Sequence, residues 1–127
     1  MMYTYGIVGN TRVLDGDTFD ATIDLGFSIR YEARIRMNGI DAPEVHTLDA
    51  REKAFGLRAK AWLESALSRG ELIVTTELDR GEKYGRVLGT VWVKGETASL
   101  NEQLIAARLV WPYNGGTKIK ALDALAP

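Results

Sequence analysis

At 127 residues, with 46% hydrophobic and 26% charged side chains, the chain is sized for one hydrophobic core and too apolar to stay disordered. No apolar run reaches the roughly 18 residues that span a bilayer, and residues 1–6 lack the basic-then-apolar pattern of a secretory leader, so no membrane partner is expected, and either the chain stays where it is made, a cytoplasmic setting being favoured, or a leader has been removed. The formal charge is −1 and there are no cysteines. Thiolate metal centres and disulfides are excluded, and any grip on a polyanion must rest on a few local cations or a metal.

In chain order, the first forty residues read as strands. Residues 5–14 are rich in β-branched and aromatic side chains, and residues 17–25 alternate, with Phe19, Ala21 and Ile23 on one face. Leu25-Gly26-Phe27 reads as a turn. Residues 29–37 repeat the alternation, with Ile29, Tyr31, Ala33, Ile35 and Met37 apolar, which makes a meander. After Pro43 a polar loop leads into a helix whose apolar stripe is Phe55, Ala59, Trp62, Leu63 and Ala66, stopped by Gly70. Residues 72–78 and 87–93 read as two further strands, with a turn at Lys94-Gly95-Glu96. Ser99 with Glu102 three positions on is a capping box opening a second helix to about residue 109. A short third helix is expected over residues 117–125. The order β-β-β-α-β-β-α predicts one α+β domain over residues 1–127: a five-stranded Greek-key barrel of the OB type with about three packed helices.

Four stretches carry chemistry beyond core or surface. In Asp15-Gly16-Asp17-Thr18, alternation places Asp17 on the apolar side; an ionised carboxylate there needs a metal or strong hydrogen bonds, unless Asp15-Gly16 is a plain turn that Asp17 ends. The segment from Arg34 to Glu44 holds Arg34, Arg36, Asp41, Glu44 and Pro43. Pro43 forces a corner with an acid on either side of it, suited to a metal and an adjacent water, or to an ordinary polar turn. Lys83-Tyr84-Gly85-Arg86 opens a strand with a guanidinium able to hold phosphate oxygens bidentately, or, as the stretch alone favours, is an ordinary hairpin entry. Trp111-Pro112-Tyr113 supplies rings that either stack on a base or close one end of the core. His46 is the sole histidine, so histidine acid–base pairs are excluded.

These residues, in this order from about Val13 to Leu109, resemble the staphylococcal nuclease family. The resemblance implies that Asp17, Asp41 and the main-chain carbonyl of Ala42 bind a metal. It implies that Arg36 and Arg86 hold the phosphate and that Glu44 positions or activates the attacking water. Lys83 and Tyr84 correspond to substrate contacts, and Tyr113 is carried over as one on a looser correspondence. The implied activity is a calcium-dependent phosphodiesterase, with Mg2+ or Mn2+ as other ions, cleaving DNA and RNA to leave 3′-phosphate ends. A catalytically silent OB module of the same family, binding nucleic acid or protein, is the alternative; a monomer is expected in either case. Bringing Arg36 and Asp41 to one side requires a break in strand alternation, expected as a β-bulge near Asn38-Gly39.

Overall fold

The computed structural model describes residues 3–77, 86–118 and 120–127. Five strands close into a barrel in the order β1-β2-β3-β6-β5: β1 (Tyr3–Asp15), β2 (Thr18–Gly26), β3 (Ile29–Met37), β5 (Leu72–Glu77) and β6 (Val87–Val93). Neighbours run antiparallel except β3 and β6, which are parallel. The two-residue strands β4 (Ile40–Asp41) and β7 (Trp111–Pro112) pair outside the barrel, Asp41 opposite Trp111. Helix α1 (Ala50–Leu67), between β4 and β5 in the chain, packs on the barrel against β1, and α2 (Leu100–Ala106) follows β6 and packs against it. The predicted α+β barrel is thus present.

The core is the inward face of each strand. Phe19, Ala21 and Ile23 of β2, Ala33, Ile35 and Met37 of β3, and Val74, Val91 and Val93 are buried and meet Ala59, Leu63 and Ala66 of α1 and Leu100 and Leu104 of α2. The apolar stripe of β3 leaves the core at its start: Ile29 and Tyr31 are exposed. They lie beside the β2–β3 turn, where Phe27 and Ser28 both take positive φ and Phe27 is fully exposed. Alternation sets which face a residue shares; whether that face is covered depends on how far the barrel extends along the strand.

Asp49 starts α1, its carboxylate accepting from the backbone N–H of Arg51 and Glu52. On this helix Gly56 and Leu67 are buried, Trp62 is half-buried against the core, and Phe55 is half-buried away from it. Phe55 lies beneath the guanidinium groups of Arg51 and Arg58. Ser99 caps α2 as expected, its hydroxyl accepting from Glu102 N–H, but α2 ends at Ala106 because Arg108 enters the left-handed region at φ 53. The third helix is reduced to a single 3-10 turn, Leu122–Ala124. Residues 111–118 instead run as β7 and irregular chain with a bend at Gly115-Gly116, Gly115 at φ +92, and Trp111 and Tyr113 bond back to other segments.

Candidate active site

Three local devices bring the predicted acids and arginine together. The first is the β1–β2 turn. A Cβ on Gly16 would lie 2.6 Å from the Ala59 side chain and 3.1 Å from that of Ala42, so glycine lets this turn sit against α1 and the chain after β4. Asp17, only 6% exposed, is thereby delivered under the backbone: its Oδ2 accepts from Ala42 N–H at 2.7 Å and its Oδ1 from the Thr18 hydroxyl at 2.8 Å. The second device is register. Thr18 is opposite Arg36 across β2 and β3, which sets the guanidinium beside Asp17, with Nη1 3.4 Å from Oδ2. That nitrogen also donates to Met37 O at 2.9 Å.

The third device is the turn after β3. No bulge within a continuous strand is present there: Asn38-Gly39 form a two-residue turn, Gly39 at φ +79, and the chain leaves the barrel ladder to pair with β7. The turn does what the bulge was required to do. Asp41, also buried, places Oδ1 3.9 Å from Arg36 Nη2, and one guanidinium lies between two buried carboxylates. The turn is tied down by Asn101 of α2, whose amide donates to Asn38 O at 2.8 Å and to Gly89 O at 3.2 Å while its oxygen accepts from Val91 N–H at 3.0 Å.

Burial works to raise the pKa of Asp17, but the hydrogen bond with Asp15, the Arg36 charge, the Ala42 N–H and the Thr18 hydroxyl prevail and hold it below the ordinary carboxylate range. Asp15 goes the other way: burial first, then the hydrogen bond and charge of Asp17, push it up to about 7. Of the two, Asp15 takes up a proton the more readily and Asp17 holds the charge.

Glu44 and Arg86 stand differently. Glu44 lies past the Pro43 corner with its side chain 58% exposed, and its Oε1 is 3.2 Å from Lys120 Nζ. The corner rests on α1 at Gly56, where a Cβ would come within 2.7–2.8 Å of Glu44 and Pro43 backbone atoms; Glu52 accepts from Glu44 N–H at 3.0 Å. Arg86, half-buried just before β6, lines a cavity of about 510 Å3 together with Arg36, Gly39, Tyr113, Asn114 and Lys118. It also lines a larger cleft of about 1000 Å3 beside Asp15, Thr18, Arg34, His46 and Lys60. Lys83 and Tyr84 lie outside the described residues. Tyr113 is half-buried, its N–H donating to Gly39 O at 2.8 Å. Trp111 is a core residue whose indole N–H donates to Ala121 O.

Two cations absent from the sequence reading join the cluster: Lys118 Nζ is 3.3 Å from Asp41 Oδ1, and Lys120 bridges Glu44 and Glu52. Their spacing of two residues, the spacing that repeats a side in strand-like chain, was the available signal. Asn101 carried no signal of its own, because its partners are backbone groups far away in sequence.

Among the described residues no group of three or more His, Cys, Asp or Glu side chains forms a metal cage. The ligands that the resemblance implies, Asp17, Asp41 and the Ala42 carbonyl, would all be hard oxygen. Such a set suits a hard cation that keeps water or phosphate in its other positions, and not a soft one.

Residues 34–124 match the Staphylococcal nuclease homologue family. The chain is 36% identical over 109 residues to Protein ParB of Escherichia coli, covering 80% of this chain and 54% of that protein. It is 26% identical over 110 residues to Thermonuclease of Staphylococcus intermedius, covering 85% of this chain and 62% of that protein. The chain therefore spans between half and two thirds of the length of these curated relatives. The family match starts at Arg34 and so includes Arg36, Asp41, Glu44 and Arg86; Asp17 is joined to them by the fold. The chain belongs to the staphylococcal nuclease homologue family.

Proposed function

We propose that this chain is a divalent-cation-dependent nuclease that hydrolyses phosphodiester bonds of DNA, and of RNA, with calcium as its ion and magnesium or manganese as substitutes. The observation that carries the reading is the nearly buried guanidinium of Arg36, held between the buried carboxylates of Asp17 and Asp41 at the wall of a cavity that Arg86 also lines. A phosphodiester repels an incoming hydroxide, and its transition state gathers charge on the non-bridging oxygens. Arg36 is already fixed by Asp17 and Met37 O, so it meets that charge without reorganising, and Arg86 adds a second guanidinium from the same cavity. A cation on Asp17, Asp41 and the Ala42 carbonyl would supply further charge neutralisation and polarise the phosphate. Glu44, exposed on its corner, holds a water for in-line attack through a hydrogen bond. The low pKa of Asp17 keeps it anionic at neutral pH, as a cation ligand must be. Kinship with a protein named Thermonuclease supports the substrate class.

The test is cleavage of plasmid, single-stranded DNA and RNA in calcium, magnesium, manganese or chelator, with Glu44→Gln and Arg36→Ala alongside. Cleavage in a divalent ion that both variants lose is the expected result. Cleavage indifferent to chelation, or unaltered in both variants, removes this mechanism, and binding without cleavage in every ion leaves a binding module instead.

A further inference from the structure

The segment after β7 crosses the acid cluster under restraint from both ends. Upstream, Asp41 pairs with Trp111 and Tyr113 N–H donates to Gly39 O. Downstream, Ala121 O accepts the Trp111 indole, Leu125 is buried, Arg58 donates to Ala126 O, and Asp123 pairs with Arg51. Between these anchors the chain presents two amines. Lys118 Nζ lies 3.3 Å from Asp41 Oδ1, the same oxygen that faces Arg36, and 5.4 Å from the centre of the Tyr113 ring. Lys120 Nζ lies 3.2 Å from Glu44 Oε1 and 3.5 Å from Glu52 Oε2.

We propose that this lysine strap is a built-in competitor of the divalent cation: Lys118 occupies the carboxylate oxygen of Asp41 that the cation requires, so that cation binding displaces it and the strap sets cation affinity. This rests on the metal-dependent reading above. The physical reason is that Asp41 is buried and Arg36 alone neutralises only one of the charges on Asp17 and Asp41. A second positive charge is favoured there, and an ammonium and a dication exclude each other from one oxygen. Lys118 is a fit occupant because it is tethered: its amine has a high effective concentration without a closed coordination shell. Half-exposed, it leaves without stranding a buried charge. Lys120 acts on Glu44 and Glu52, which are not cation ligands, so its influence on cation binding is weaker, exerted by holding the strap in place.

The full chain is titrated with calcium by calorimetry, and with terbium by luminescence sensitised through its aromatic residues, as wild type, Lys118→Gln, Lys118→Arg, Lys120→Gln and Asp41→Asn. Removing the competing charge in Lys118→Gln tightens calcium binding by roughly fivefold, the scale of one partly exposed ion pair. Lys118→Arg stays near wild type, Lys120→Gln moves less than Lys118→Gln, and Asp41→Asn loses binding. Hydrogen exchange supplies a second readout: peptides covering Lys118 and Lys120 exchange faster in wild type once calcium is added. If Asp41→Asn abolishes binding while Lys118→Gln equals or falls below wild type, or if strap exchange ignores bound calcium, the competitor role is overturned and the cation site stands. If neither wild type nor Lys118→Gln takes up any ion at millimolar concentration, the metal-dependent reading fails and the strap's role with it.

Discussion

Replacing Gly56 by alanine sets two known effects against each other. In the middle of an 18-residue helix, alanine in place of glycine ordinarily stabilises by about 1 kcal/mol. Here the new Cβ would stand 2.7 Å from Glu44 O, 2.8 Å from Glu44 C and 2.8 Å from Pro43 O. All three are backbone atoms, on a corner that the proline ring stiffens, so the strain is relieved only by moving α1 or the corner. Overpacking of this kind costs up to about 3 kcal/mol, which exceeds the propensity gain and leaves a net loss of about 2 kcal/mol. For a chain of this length that lowers Tm by about 8 °C. Because the displaced backbone carries Glu44, kcat falls as well, by about a hundredfold for a misplacement near 1 Å. Urea and thermal unfolding, together with single-turnover cleavage, read both effects. Gly6→Ala is the control, since a Cβ there meets nothing within 4 Å. A Gly56→Ala protein as stable as wild type, with unchanged kcat, would refute the claim that α1 and the Pro43 corner are in contact as tight as the structure has them.

Arg36→Ala lowers kcat/KM for DNA cleavage by about a hundred- to a thousandfold, roughly the 3–4 kcal/mol lost with one preorganised donor, and a calcium titration separates this loss from any change in ion binding. Asn101→Ala destabilises by about 3 kcal/mol in urea unfolding, because two buried hydrogen bonds, with Val91 N–H and Gly89 O, and a part-buried one to Asn38 O lose their partner. For Asp20, the hydrogen bond from Arg34 is the largest influence and its pKa is lowered. A depressed acid stabilises above its unfolded pKa and loses that contribution as pH falls through the folded value. Asp20→Asn therefore costs a little stability, under about 1 kcal/mol for so exposed a pair, at pH 7, and the difference from wild type vanishes in the acid range.

How far the sequence spoke for this site differs residue by residue. Asp17 was legible because a carboxylate at an apolar-parity position is an energetic anomaly, and it is indeed buried and fully bonded. Arg36 and Asp41 were legible as a pair that alternation kept apart, and the conflict itself pointed to the irregularity at Asn38-Gly39. Its form, a turn into a second small sheet, was hidden because the partner strand is Trp111–Pro112, some seventy residues away. The helix expected over residues 117–125 failed for a related reason. Local propensity favours helix in that run, but β7 and the bonds made by Trp111 and Tyr113 tie the chain to other segments, and a bend at Gly115-Gly116 lies just before it. Ile29 and Tyr31 obey the strand period yet lie on a part of β3 that nothing covers. Periodicity reports sides, and only the tertiary fold decides which sides are inside.

On the proposed nuclease reading, the near-neutral charge of the chain constrains how a polyanion would be held. With a formal charge of −1 there is no general field to attract nucleic acid, and several surface cations are already engaged: Arg12 and Arg34 by Asp20, Arg69 by Glu96, Lys94 by Glu71. Arg36, itself paired with Asp17 and Asp41, shares a cavity wall with Arg86, and Lys118 and Lys120 reach phosphate only on leaving Asp41 and Glu44. Two to four phosphate contacts on a single strand give a slope of log K against log salt of about −1.4 to −2.8. Between 50 and 200 mM salt that amounts to a loss of roughly seven- to fiftyfold in affinity. The measurement is equilibrium binding of a single-stranded oligonucleotide to Glu44→Gln at fixed calcium over a potassium chloride series. A slope steeper than about −5 would require more than seven neutralised phosphates, more than this site supplies, and would mean that binding spreads over a surface well beyond the two arginines.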